Sequence, residues 1–206
     1  MKRLLILVAV LSLSGFAAAQ KADAAFVAGG SFVSDTTGNV FLPGTPSSSF
    51  TIRTDHHLFL EGAVAVRLLN AHLASLHVEV PVAGIPSTTI TEPITSTTLD
   101  HLSTVFITPG LRLKILPIAP VSPWVSVGGG WAHYSLKDTG LTQNKAALEY
   151  GGGLDFKTGL PLLGFRAEVR DFVTGDPNFN LGNLFSSGGG LHHHNILAGG
   201  GLVLRF

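Results

Sequence analysis

Cysteine is absent from the 206 residues. That excludes disulfides, thiolate metal sites and acylation at a cysteine, and leaves the compartment open. Charge is scarce: 13% of residues are charged, roughly half the share usual in soluble domains. Lys+Arg and Asp+Glu balance at 13 each, and no basic cluster occurs, so nothing points to nucleic acid. After residue 19 no apolar run reaches the ~18 residues that a transmembrane helix needs. Yet the mean hydropathy is +0.39. Lipid admits only helices and closed barrels, because unpaired backbone groups are too costly there. A chain this apolar without a helical span is therefore expected to be a barrel.

Residues 1–19 read as an address. Lys2 and Arg3 make a positive start, residues 4–13 an apolar core, and Ala17-Ala18-Ala19 a small-residue cleavage site before Gln20. The expected organisation is a signal peptide over 1–19, exporting the chain across an inner membrane, and one barrel domain over 20–206.

Period-two alternation predicts eight strands, the first near 23–34 and the second over 57–69. Leu58, Leu60, Val64, Val66 and Leu68 there oppose Phe59, Glu61, Ala63, Ala65 and Arg67. The third runs over 74–82. The fourth, near 99–115, contains Pro109, which predicts a bulge or register change. The others cover 124–134, 146–157, 163–173 and the end of the chain. Connections alternate long (35–55, 84–98, 135–144, 175–191) and short (70–72, 116–120, 159–162). This suits an antiparallel up-and-down transmembrane barrel with both termini periplasmic.

Charge and glycine share the parity opposite the apolar face, the inverse of a soluble sandwich. Glu61, Arg67, Glu79, Arg112, Lys114, Glu149, Asp155, Lys157, Arg166, Glu168, Arg170 and Arg205 are therefore expected inside. An eight-stranded barrel has an interior just wide enough for side chains to fill it. A buried unpaired ion costs several kcal/mol, so these charges should interlock and plug the lumen. The runs Gly128-Gly129-Gly130, Gly151-Gly152-Gly153 and Gly199-Gly200-Gly201 precede no helix, so they are read as space for long neighbours and not as phosphate cradles.

With the strands so placed, the chain resembles the small eight-stranded bacterial outer-membrane β-barrels of the outer membrane protein A, X and opacity type. The segments that carry this are Gly62-Ala63-Val64-Ala65-Val66-Arg67, Thr108-Pro109-Gly110-Leu111-Arg112, 123–130, 164–172 and the ending. That ending, with Gly201, Leu204 and the final Phe206, resembles the assembly signal of such barrels. The resemblance implies an outer-membrane location, contact with outer-membrane lipid and lipopolysaccharide, and insertion by the barrel-assembly machinery. It fits a non-enzymatic envelope-structural or surface-binding protein, an adhesin for example, with an extracellular ligand for its loops. A narrow porin-like pore and a lipid A-modifying, deacylase-like enzyme are the alternatives.

For the enzyme, His133-Tyr134-Ser135 looks similar to the His-x-Ser of lipid A deacylases, with Glu149 completing a triad only if its strand were re-registered. In that family the motif lies on the penultimate strand, where this chain has Glu168-Val169-Arg170-Asp171. His192-His193-His194, His56-His57 and His101 mark one rim. Alternation separates His193 from its neighbours, and no carboxylate completes a ligand set. No catalytic set, cofactor or metal is expected. Asp171 shares the apolar parity and has no evident role beyond the interface.

Overall fold

The computed structural model describes residues 22–33, 36–40, 48–52, 57–91, 98–137, 140–160, 162–175 and 191–206. The expected signal segment 1–19 and His56 lie outside them, as do the side chains of His101 and His192. All regular structure is β: β1 (Ala22–Val33), β2 (Thr36–Val40), β3 (Ser48–Ile52), β4 (His57–Asn70), β5 (Ala74–Thr91), β6 (Thr98–Ile107), β7 (Gly110–Ile115), β8 (Val121–Leu136), β9 (Thr142–Lys157), β10 (Leu163–Gly175) and β11 (Leu191–Arg205).

Every barrel neighbour is antiparallel, in the order β4-β1-β11-β10-β9-β8-β6-β5, with β7 continuing β6 and a β4–β5 ladder closing the ring. β6 and β7 together make one stave, so the barrel has eight. β2 and β3 form a separate hairpin within the first long connection. The last strand meets the first from Asp23↔Arg205 to Val33↔Asn195. The Phe206 N–H then donates to the Ala22 carbonyl at 2.8 Å. Through the middle of the wall closure pairs both edges of every stave, which is what a lipid-embedded sheet requires; the β4–β5 ladder ends at Leu60↔Gly84.

Pro109 does not shift the register. Val82↔Ile107 and Glu79↔Gly110 lie on one continuous alignment with β5. Ile107↔Trp131 and Gly110↔Gly128 do the same with β8. The ladder is merely interrupted, because Pro109, and Pro81 opposite Thr108, have no N–H to donate. Thr108 N–H still reaches the Pro81 carbonyl at 3.4 Å. Register shifts do occur elsewhere, between Arg67 and Leu69 in β4 and toward the long-loop ends of β5 and β10.

Two expected loops are largely strand. β5 continues to Thr91, and β8 and β9 meet across residues 137–141. Beyond the apolar band neither face needs to be hydrophobic, so alternation fades while the β-branched residues Thr88, Thr89, Ile90 and Thr91 still favour strand.

The faces are inverted relative to a soluble barrel. Leu58, Val64, Val80, Leu113, Val125, Val169 and Leu204 are exposed, whereas Glu61, Arg112, Asp155, Arg166 and Arg170 are buried. Glycine makes the interior possible at close approaches. A Cβ on Gly199 would stand 2.8 Å from the Phe59 ring, whereas one on Gly62 would meet nothing within 4 Å. Gly199→Val should thus lower unfolding stability in lipid by about 1–3 kcal/mol. Gly62→Ala should stay within about 0.5 kcal/mol. Urea titration of the two variants, followed by tryptophan fluorescence, checks both.

Candidate functional site: the barrel interior and one polar cluster on its wall

Two strata fill the interior. Toward the short-turn end lies an ionic layer built from six strands. Glu79 on β5 is one hub: its Oε1 accepts from Arg112 Nη1 at 3.0 Å, Arg170 Nη2 at 3.1 Å and Arg166 Nη1 at 3.4 Å. Arg170 on β10 is the other, lying 3.2 Å from Glu61, 3.0 Å from Glu149 and 3.4 Å from Glu168. Asp155 accepts from Arg166 Nε at 2.8 Å and from Lys114 Nζ at 2.6 Å. Three guanidiniums surround one indole, with Arg112, Arg166 and Arg170 lying 5.7, 4.9 and 5.0 Å from the ring centre of Trp124. Desolvated cation–π contacts of this kind contribute about 2 kcal/mol each.

Glycine again supplies the room. A Cβ on Gly153 would lie 2.7 Å from Trp124 Cζ2, and one on Gly151 2.8 Å from Arg170 Cγ.

Above the ions, toward the long-loop end, the interior turns apolar. Phe59, Phe106 and Phe172 pack with Val27, Ile85 and Leu197. Phe106 stacks on Phe172 at 4.6 Å and meets Tyr134 edge-on at 6.4 Å. The Tyr134 hydroxyl reaches Thr174 Oγ1 at 2.7 Å. A shallow apolar notch of about 120 Å³, bordered by Leu60, Gly84, Pro86 and Val105, lies in the wall where the β4–β5 ladder ends.

Of the twelve charges expected inside, Glu61, Glu79, Arg112, Lys114, Glu149, Asp155, Arg166, Glu168 and Arg170 are buried there. Three are not part of this buried set. Arg67 is half-buried beside the β4 bulge, which turns the strand just where it would enter the network. Lys157 is exposed and donates to the Ile118 carbonyl at 2.7 Å. Arg205 is half-buried, with its guanidinium over Gly164 at the barrel's end. Parity gives the side a residue faces but not whether it lies past the rim. Asp23 was missed: it is buried and bonds Arg112 Nη2 at 2.9 Å and Lys114 Nζ at 3.4 Å. Its signal was its position in register with Ala25 and Val27, whose side chains are also buried.

At the same end of the molecule, Gly201 faces Val27 across the closing seam, while Leu204 and Phe206 are exposed on the outer face.

His133 and Ser135 share the outer face of β8, but Glu149 points into the lumen and pairs with Arg170. His133 Nδ1 instead meets Asn144 Oδ1 at 2.7 Å. On the rim, His193 is buried while His194 faces outward. No group of three or more metal-binding side chains occurs among the described residues. Asp171 stands on the outer wall of β10 between strands β9 and β11. Its Oδ2 accepts the Tyr150 hydroxyl at 2.6 Å and lies 2.6 Å from His194 Nδ1.

No protein-family model matches the chain, and no curated protein matches it in sequence. Solved structures do match. The crystal structure of Neisserial surface protein A aligns with a TM-score of 0.56 at 12% identity, over 90% of this chain and 97% of that one. The outer membrane protein OprG from Pseudomonas aeruginosa aligns with a TM-score of 0.55 at 12% identity, over 89% of this chain and 95% of that one. At such identity the likeness is one of fold.

The hub residue Arg170 should be the most sensitive position inside. Arg170→Met leaves Glu61, Glu79, Glu149 and Glu168 buried against fewer bases, a loss of about 3–5 kcal/mol. Equilibrium unfolding of the refolded variant in lipid reads this directly, and a change below about 1 kcal/mol would contradict the hub assignment.

Proposed function

We propose that this chain, with the architecture of the small eight-stranded outer-membrane barrels, is an integral protein of a bacterial outer membrane. On this reading its work is non-enzymatic. A rigid, plugged barrel holds the long-loop end outside the cell, where the loops bind a surface or envelope partner. Both termini then face the periplasm. Lipopolysaccharide and the barrel-assembly machinery are its membrane-side partners.

The observation that carries the reading is how the lumen is filled. The ionic stratum from Asp23 to Arg170 and the aromatic stratum of Phe59, Phe106 and Phe172 succeed one another along the axis. Permeation would have to break buried ion pairs and displace packed aromatics in turn, each worth several kcal/mol. The outer wall supports the membrane location, since its exposed leucines, valines and phenylalanines would be unfavourable in water.

Planar-bilayer recording of the refolded protein tests the plug. No conductance steps are expected from the wild type, nor from Glu149→Ala, because the aromatic stratum remains. Reproducible steps altered by Glu149→Ala would replace this reading with a narrow pore.

A further inference from the structure

Asp171 is a carboxylate on the outward face of a barrel strand, flanked by Val169 and Val173 on the same face. Counting from Leu163 at the short-turn end, it stands roughly 20 Å up the wall, at about 3.3 Å per residue and a tilt near 40°. That is near the top of an apolar band roughly 25 Å tall. Given the orientation proposed above, it faces the headgroups of the outer leaflet. An ionisable residue on a membrane-facing surface is costly, and such residues mark function more often than architecture.

The geometry shows what the carboxylate does. Oδ2 holds the Tyr150 hydroxyl from β9 and His194 Nδ1 from β11, both at 2.6 Å. Three adjacent strands are thereby tied at one point on the wall. Oδ1 is buried without a hydrogen-bond partner, and the Asp171 side chain is only 12% exposed. The acid is thus screened from the membrane. His194 is not: its side chain is 42% exposed. With Nδ1 committed to Asp171, its other ring nitrogen, Nε2, is the polar atom offered outward. A carboxylate on one imidazole nitrogen fixes the ring direction, and thereby where the second nitrogen points.

We propose that Tyr150, Asp171 and His194 form a binding site on the barrel wall for the phosphate monoester of an outer-leaflet lipid. Held between the Asp171 carboxylate and the phosphate, the His194 ring carries both protons, so that Nδ1–H donates to Asp171 and Nε2–H to the phosphate. Asp171 is the positioning residue, and Tyr150 holds Asp171 in place. This rests on the membrane reading above. The exposed apolar residues Val169, one step lower on the same face, and Ile196, in register with Asp171, lie where acyl chains would pack.

The test uses full-length mature protein, ¹⁵N-labelled at histidine, in dodecyl-maltoside micelles, which carry no phosphate. Bisphosphorylated lipid A, dephosphorylated lipid A, inorganic phosphate and Zn²⁺ are titrated separately while the His194 ring nitrogens are followed by NMR. Phosphorylated lipid A is expected to shift Nε2. Asp171→Asn should weaken that response roughly tenfold, the size of one charge-assisted hydrogen bond. His133→Ala should leave it unchanged. Inorganic phosphate, lacking acyl chains, should bind far more weakly. An equal response to dephosphorylated lipid A, equal affinity for free phosphate, or a response to Zn²⁺ alone would each overturn the proposal. So would a silent His194 in a barrel that inserts into vesicles, and in that case the membrane reading would stand. A folded barrel that fails to enter vesicles would remove the membrane reading instead.

Discussion

The whole structure depends on one hydrogen-bonded seam. A sheet in hydrocarbon can leave no backbone N–H or C=O unpaired, so the first strand must meet the last. Here β1 pairs with β11 from Asp23↔Arg205 to Val33↔Asn195, and the Phe206 amide adds a final bond to Ala22. Once that seam forms, every side chain is assigned either to the wall or to the lumen. The inversion of faces follows, with exposed Leu, Val and Phe outside and Arg, Glu and Asp within. Prolines are tolerated where they remove a donor without moving the register, as at Pro81 and Pro109.

Eight staves leave little internal space, and the chain fills it in two ways. Ions are assembled around shared partners, so Glu79 serves three arginines and Arg170 serves four carboxylates. Sharing reduces the number of unmatched charges that a low-dielectric interior would have to hold. Trp124 sits among the same guanidiniums as an apolar body with an electron-rich face, and Gly153 gives its ring the room. Toward the loops the filling becomes aromatic. The barrel is thereby rigid by two mechanisms, one electrostatic and one of packing, and only the first depends on charge.

The wall cluster of Tyr150, Asp171 and His194 breaks the rule that the outer face is apolar. Sequences specify their structures by consistency among levels, and the places where consistency fails tend to be functional. The cost of a carboxylate on the wall is reduced by two short bonds to one oxygen. The same bonds leave an oriented imidazole on the outer face of the wall.

Much of this was legible in the chain before folding. Alternation located the eight staves, and parity separated Leu58 and Val64 from Glu61 and Ala63. The absence of long apolar runs in so hydrophobic a chain left a barrel as the architecture. The glycine runs announced large neighbours. What parity cannot report is height. Staves are tilted and staggered, so Asp23 and Arg112, 89 residues apart, meet at one level, while Arg67, Lys157 and Arg205 lie outside the buried network despite the correct parity. For the same reason Phe59, Phe106 and Phe172, each on the inward side of its own strand, gave no sign that they form one stratum. Asp171 looked like an isolated exception on β10 until register placed Tyr150 beside it and His194 above. Which side a residue faces is a local property with period two, and the sequence determines it. Which residues share a level depends on the stagger of the closed ring, and only the tertiary structure decides that.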